Sequence, residues 1–280
     1  MGQLISVIIP TLNEEKMLPH LLKDLSKQTS RDLEIIVVDA NSEDNTVKNA
    51  EKFKKELPLK IITSKRRNLA YQRNLGAKKA KGDFLVFIDA DCRVPTGFIK
   101  NIFFEIRKTK PLVIFPSFSI NTSKVIDKTL FSFTNLGLQT SLKFKMPFAS
   151  GACLIFEKHF FEFLGGFKVV NKQDKEILFP EDMELTQRVF KSGVTPYFSK
   201  KIKFKFSMRR FEREGYLKVL MDYLLISLNT LLGIGDIKIK YKMGGDFYKN
   251  LRKNEREKLI KNIKVFVEKI NKKIKEKVKI

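Results

Sequence analysis

The chain has 280 residues, enough for one large domain or two small ones, and an apolar fraction of 43% excludes a wholly membrane-embedded protein. Its net charge of +24 points to polyanionic partners (phosphorylated substrates, nucleic acid or an anionic membrane surface) or to the lysine- and isoleucine-rich composition of heat-adapted proteins. The two cysteines, Cys92 and Cys153, exclude a disulfide framework and match no metal-ligand spacing, so a reducing compartment is expected.

The N-terminus runs directly into Leu4–Ile9, a short β-branched run that reads as a buried strand, without a basic leader; a cytoplasmic location is expected. After a turn at Pro10–Asn13, the apolar residues Met17, Leu18, Leu21, Leu22 and Leu25 form a helical stripe, with Asn13 as expected N-cap and Pro19 in the early turn. Leu33–Val38 is a second strand, and the polar turn Asp39–Asn45 leads to another helix. A third strand at Leu59–Thr63, a helix near Ala70–Ala80 and a fourth strand at Phe84–Ile88 follow, the last ending in Asp89-Ala90-Asp91. Such alternation implies right-handed crossovers and a largely parallel sheet, with a ligand site beyond the carboxyl ends of its strands.

Past Pro95 the pattern is less regular. A helix near Thr96–Arg107, strands near Leu112–Phe118 and Ala152–Phe156, and a helix over Glu181–Lys191 closed by Gly193 are predicted. Val125–Phe148 is rich in phenylalanine and leucine and weakly amphipathic. Tyr216–Ile234 is as long as a membrane span but carries Lys218, Asp222 and Asn229, and reads as a buried or interfacial helix. The tail Leu251–Ile280 holds 12 Lys/Arg against 4 Asp/Glu with apolar residues at helical spacing. It can pack on the body, pair with another helix or lie on a membrane surface. The expected division is 1–215 as an α/β domain, 216–250 as an apolar helix and 251–280 as a basic helical tail.

Four constellations carry chemistry. Asp89 and Asp91 alternate at a strand end, so both carboxylates can address one object, and their hard oxygens suit Mg²⁺ or Mn²⁺ bridging substrate phosphates. Asp-x-Asp recurs by chance in many proteins; its place after a buried strand gives it weight. Asp39 at the end of the second strand can accept from a base or ribose, or simply form the turn. Glu181 and Asp182 open a helix, where the dipole favours acids, and one of them could remove a proton from an acceptor hydroxyl. Arg66, Arg67 and Arg73, and then Arg209, Arg210 and Arg213, could meet phosphate oxygens or form a solvated basic face. No glycine-rich phosphate loop of either common pattern is present, and His20 and His159 fit no triad or metal pattern.

Together these residues resemble the family 2 glycosyltransferases of GT-A fold. The likeness runs from Ser6-Val7-Ile8-Ile9-Pro10-Thr11-Leu12-Asn13-Glu14-Glu15 through Asp39, Arg73-Asn74-Leu75-Gly76, Asp89-Ala90-Asp91, Gly151-Ala152, Gly165-Gly166-Phe167 and Glu181-Asp182 to Ser207-Met208-Arg209-Arg210. The resemblance implies an α/β Rossmann-like sheet flanked by helices, with a helical C-terminal extension. It implies inverting transfer of a sugar from a nucleotide-sugar donor, with Mg²⁺ or Mn²⁺, to a glycan or lipid-linked acceptor. By position, Pro10, Asn13 and Glu14 line the nucleotide pocket, Asp39 holds the base, Arg73 approaches the donor and Asp89 contacts ribose or metal-bound water. Asp91 ligates the metal, Asp182 is the general base, and Arg209 or Arg210 meets the diphosphate. The Q-x-x-R-W motif of processive members is absent, as is any tryptophan, so polymer synthesis is not expected. Paired transmembrane helices are not evident either, and any membrane attachment would be peripheral.

Two other readings stay open: a nucleotidyltransferase, against which the glycine-free loop Pro10–Glu15 counts, and a basic module binding nucleic acid or membrane without catalysis. Nucleic acid is not the expected partner.

Overall fold

Four β-branched or aromatic runs build the heart of the sheet, the three inner ones buried along nearly their whole length and so covered on both faces. They are β1 (Ile5–Thr11), β2 (Leu33–Asp39), β3 (Leu59–Thr63) and β4 (Phe84–Ile88). Helices cross between them: α1 (Leu18–Ser26), α2 (Thr46–Glu51) with a 3₁₀ turn at Lys52–Lys55, and α3 (Leu69–Lys79). Then come α4 (Phe98–Thr109), β5 (Val113–Ile120), α5 (Val125–Lys143), β6 (Cys153–Glu157), α6 (Lys158–Phe163), α7 (Glu181–Lys191), β7 (Tyr197–Phe206) and α8 (Arg209–Glu214). This computed structural model describes residues 3–120, 125–145, 151–170, 181–215 and 219. Two compact units divide them: 208–215 with 219 belong to the second, and the rest form the first. The segments expected over 216–250 and 251–280 lie outside the described residues, Val219 apart.

The seven strands run in the order β3-β2-β1-β4-β6-β5-β7. β6 is antiparallel to both neighbours and every other pairing is parallel. That one reversal has a consequence for the site. The carboxyl ends of β1, β2 and β4 share one edge of the sheet, and β6 delivers its amino end there, with Cys153 opposite Ile88. The Gly151-Ala152 dipeptide therefore arrives beside Asp89, whose N–H donates to Ala152 O at 3.0 Å.

The expected elements up to Lys191 are present, most with ends shifted by one to three residues; β7, α6 and α8 are additional. Asn13 is not the N-cap of α1. The helix starts at Leu18, its capping position is Met17 without a side-chain bond, and Asn13 instead adopts a left-handed backbone (φ 55°). Its carboxamide oxygen accepts from Glu43 N–H at 2.8 Å, so it serves the neighbouring β2–α2 loop.

Helix α3 does not show an apolar stripe because its buried face is made of small and polar residues: Ala70, Gln72, Arg73, Gly76 and Ala77. Asn68 caps it, accepting from Tyr71 N–H at 2.9 Å. Gly76 lets the helix lie close on β1 and β2, since a Cβ there would come within 2.4 Å of Ile8 Cγ2. One turn earlier on the same face, that close approach drives Arg73 into the interior, where it is 1% exposed.

Candidate active site

At the strand-end edge two neighbouring nests of side chains form. The first joins the loops after β1 and β2. Asp39 is buried, and its Oδ1 accepts from Thr11 Oγ1 at 3.0 Å and Ser42 Oγ at 2.5 Å while Oδ2 accepts from Ser42 N–H at 2.8 Å. Asn13 N–H donates to Ser42 Oγ at 2.9 Å, and Glu14 N–H donates to Thr46 Oγ1 at 2.7 Å. Gln72 Nε2 reaches across from α3 to Thr11 O at 2.9 Å and Val38 O at 2.7 Å. The two loops are thereby held as one rim, with Pro10 at the end of β1.

The second nest is ionic and is organised by Arg73. Its Nη2 donates to Asp89 Oδ1 at 3.0 Å and to Gly151 O at 2.6 Å, and its Nη1 donates to Glu181 Oε1 at 3.0 Å. The guanidinium also lies over the Phe167 ring, 5.2 Å from its centroid. Phe167 in turn packs edge-on against Phe87 of β4 and tilted against Phe161 of α6. A cation at this depth is stable only because anions surround it. Burial disfavours the charged guanidinium, but Asp89, Glu181 and Asp182 outweigh burial and raise its pKa above the ordinary arginine value.

The carboxylates answer to the same balance with the opposite sign. Burial pushes Glu181 up to about 7, opposed by Arg73 and reinforced by Asp182. Asp89 is pushed up to about 6, again by burial first, with Arg73 lowering it and Asp91 raising it. Its side chain is 35% exposed, so water at the open side relieves part of that rise. Asp182 is raised as well, burial outweighing Arg73 and the backbone bonds from Met183 and Gly151. Three acids around one cation leave a surplus of negative charge at the head of α7.

What positions Asp182 is a clamp of three elements. Asn74, next to Arg73 on α3, exchanges two hydrogen bonds with Phe167: its Nδ2 donates to Phe167 O at 2.7 Å, and Phe167 N–H donates to Oδ1 at 2.9 Å. The approach is close enough that Gly166, at φ 69°, could carry no side chain, as a Cβ would lie 2.7 Å from Asn74 Oδ1. From the other side Arg188 of α7 donates to Leu164 O and to Gly166 O (2.7 Å), and its fork holds Glu184 at 2.6 and 2.9 Å. Gly151 closes the nest: a Cβ there would stand 2.7 Å from Asp182 Oδ2.

The structure thus brings together Asp89, Asp182 and Arg73, with Asp91 two residues beyond Asp89 and half-exposed, and separately joins Pro10, Asn13, Glu14 and Asp39 in one rim. Arg73, expected to approach the donor, is instead enclosed and bonded to the acids. Arg209 and Arg210 belong to the second unit, where Arg210 Nε donates to Glu214 Oε1 at 3.3 Å within α8. Sequence reading passed over Gln72, Asn74 and Arg188 as functional residues. The signal available for the first two was a run of polar residues, Gln72-Arg73-Asn74, in a helix whose other buried residues, Ala70, Gly76 and Ala77, are small.

Among the described residues no group of three or more His, Cys, Asp or Glu could hold a metal ion. The chemistry of the donor set still fits Mg²⁺ or Mn²⁺: Asp91 would be the carboxylate such an ion takes, with substrate phosphates and water, which Asp89 could meet, completing the shell.

A mostly parallel seven-stranded sheet, with its acids gathered where β4 and the reversed β6 meet, defines a GT-A type fold. Solved structures share it. The mannosyltransferase PcManGT from Pyrobaculum calidifontis, in complex with GDP-Man and Mn²⁺, superposes with a TM-score of 0.64 at 20% identity over 84% of this chain and 66% of that one. Residues 6–165 match Glycosyl transferase family 2, and the chain belongs to that family.

Two curated relatives are the Poly(ribitol-phosphate) beta-N-acetylglucosaminyltransferase TarS of Staphylococcus aureus and a Dolichyl N-acetyl-alpha-D-glucosaminyl phosphate 3-beta-D-2,3-diacetamido-2,3-dideoxy-beta-D-glucuronosyltransferase of Methanococcus voltae. They are 38% identical over 90 residues and 33% identical over 141 residues, respectively. The matched part spans 31% of this chain and 16% of TarS, and 46% of this chain and 44% of the archaeal protein. Glu181 and Asp182 lie beyond residue 165, outside the matched part.

Proposed function

We propose that this chain transfers a single sugar from a UDP- or GDP-linked donor to a hydroxyl or phosphate acceptor, inverting the anomeric carbon. The observation that carries the proposal is the Arg73 bridge, which ties Asp89 at the end of β4 to the Glu181-Asp182 pair at the head of α7. One buried cation thereby sets the distance between the donor side of the edge and the carboxylate that would serve the acceptor.

In this reading Asp182 takes the proton of the acceptor hydroxyl as that oxygen bonds to the anomeric carbon. The bond from that carbon to the diphosphate oxygen breaks on the opposite face, and the nucleoside diphosphate departs. A raised pKa suits a base that must hold a proton without binding it irreversibly. Asp39, Asn13, Glu14 and Pro10 hold the nucleotide at the rim, Asp39 taking the base. Asp89 takes ribose or metal-bound water. Asp91 would hold a divalent cation, which would supply charge neutralisation to the departing diphosphate. Relatives solved with UDP-GlcNAc or with GDP-Man and Mn²⁺ support the donor class and the metal. A lipid-linked acceptor, met at the membrane periphery, is the finer form of this proposal. No helix among the described residues is long and apolar enough to cross a membrane.

The test is a thermal-shift screen of the protein against UDP-, GDP- and dTDP-sugars with and without Mn²⁺, beside Asp91→Asn. A ligand at a hundredfold its Kd stabilises by about 2.7 kcal/mol, or roughly 5–10 °C for a chain of this size. The proposal expects one nucleotide class to reach that shift in the presence of metal, with the variant losing it. No shift with any nucleotide sugar would reject it.

A further inference from the structure

Away from the acid nests, one face of the first unit carries charge of a single sign. On α4 the exposed residues Lys100, Phe104, Arg107 and Lys108 fall at helical spacing on the side opposite the buried Phe98, Ile99, Ile102 and Ile106. β7 is fastened alongside. Asn101 Nδ2 donates to Lys201 O at 3.3 Å, and the Lys201 ammonium stands over the Phe104 ring, 3.1 Å from its centroid. Lys203 and Lys205 then alternate along the strand with the buried Ile202 and Phe204. The one carboxylate within α4 and β7, Glu105, is buried and accepts from Tyr197 Oη at 3.1 Å and Ser199 Oγ at 3.3 Å. None of the six cations is paired with a described carboxylate.

Protection of an edge strand explains Lys203 and Lys205 by themselves. It does not explain the cations on a helix that has no open edge, or a phenylalanine left 47% exposed in their midst. We propose that the α4–β7 face docks on an anionic lipid bilayer, its ammonium groups against headgroup phosphates and Phe104 entering the interfacial layer. Lysine predominates here, and lysine is a point charge attracted by a diffuse headgroup field without demanding geometry. A surface for single-stranded nucleic acid gains from open aromatic platforms for base stacking, and Phe104, the exposed aromatic of this face, already has Lys201 against its ring. The proposal is separate from sugar transfer and is read without donor or acceptor.

The experiment sediments the full chain with phosphatidylcholine vesicles, with and without phosphatidylglycerol. The variants are Lys201→Gln/Lys203→Gln/Lys205→Gln, Phe104→Ala, and a charge-matched tail control, Lys272→Gln/Lys273→Gln/Lys275→Gln. Each headgroup-facing lysine contributes about a fivefold factor, so the β7 triple variant should bind phosphatidylglycerol vesicles on the order of a hundredfold more weakly. Phe104→Ala should lose several-fold more without altering the salt dependence. Circular dichroism and the nucleotide-induced thermal shift should stay as in the unmodified chain, separating this result from any failure of the catalytic reading. If the β7 triple variant binds as tightly as the unmodified chain, the proposal is overturned, whatever the tail control does. It is equally overturned if Phe104→Ala has no effect and a single-stranded oligonucleotide displaces the vesicles at the same salt.

Discussion

Replacing Glu181 with glutamine removes one of the three buried charges around Arg73 while keeping the shape and an acceptor oxygen for Nη1. Its carboxyl is pushed up to about 7 from an ordinary 4.5, and that shift already includes the attraction of Arg73. Burial and the neighbouring acids therefore win over the ion pair. The side chain is 17% exposed, so solvent relieves little of this cost. In the folded state the group holds its proton to higher pH than in the unfolded chain. Its contribution to stability is complete below about pH 4.5 and is lost as pH rises through about 7. At 1.36 kcal/mol per pKa unit the loss is on the order of 3 kcal/mol.

Glutamine has no proton to lose. Urea unfolding followed by circular dichroism at pH 5 and pH 8.5 should find Glu181→Gln gaining about 2–3 kcal/mol on the unmodified protein between the two. With like charge removed beside Asp182, the acidic limb of the rate profile should also move to lower pH. If the variant is less stable than the unmodified protein at pH 8.5, the attraction of Arg73 outweighs burial and the reasoning is wrong.

Three further substitutions probe the clamp and the proposed base. Asp182→Asn should lower the release of nucleoside diphosphate by about 10²–10⁴-fold, the range for removing a general base, while the nucleotide-induced thermal shift persists. Equal loss of both would assign Asp182 to binding. In Gly151→Ala the new methyl would meet Asp182 Oδ2 at 2.7 Å, so transfer should fall at least tenfold with donor binding retained; an unchanged rate would show that the carboxylate's placement is immaterial. Asn74→Ala leaves the N–H and C=O of Phe167 without their partner, which costs about 1–3 kcal/mol in urea unfolding. A smaller loss would mean that Arg188 holds the turn unaided.

The fold was legible wherever periodicity speaks for burial. β4 is apolar throughout and β1 and β2 largely so, and a short apolar run of β-branched and aromatic residues can be covered on both faces only inside a sheet. α3 was placed by its position between strands rather than by its own pattern. β7 was overlooked because its lysines obscure the buried alternation of Ile202 and Phe204, and because the irregularity between Pro116 and Ser117 displaces its register. Asn13 misled in a more specific way. A carboxamide before an apolar stripe has the chemistry of a cap, yet here the loop after β2 supplied a nearer donor, Glu43 N–H.

The site was legible as a set of residue types and not as a circuit. Which acids would be near one another depends on the reversal of β6, which brings Gly151 to Asp89, and on the turn at Gly165–Gly166, which carries Phe167 beneath Arg73. Neither is written in the spacing of the charged residues themselves. Arg73 shows the difference most clearly. Read along the chain it is a cation free to meet a phosphate, and it becomes a buried link only because Gly76 lets α3 settle within a methyl's width of Ile8. Polar residues on the covered face of a helix have to be answered by partners elsewhere, because a lone buried charge is too costly to persist. The sequence Gln72-Arg73-Asn74 therefore poses three questions, and the strand ends, the acids and the Phe167 backbone are their answers.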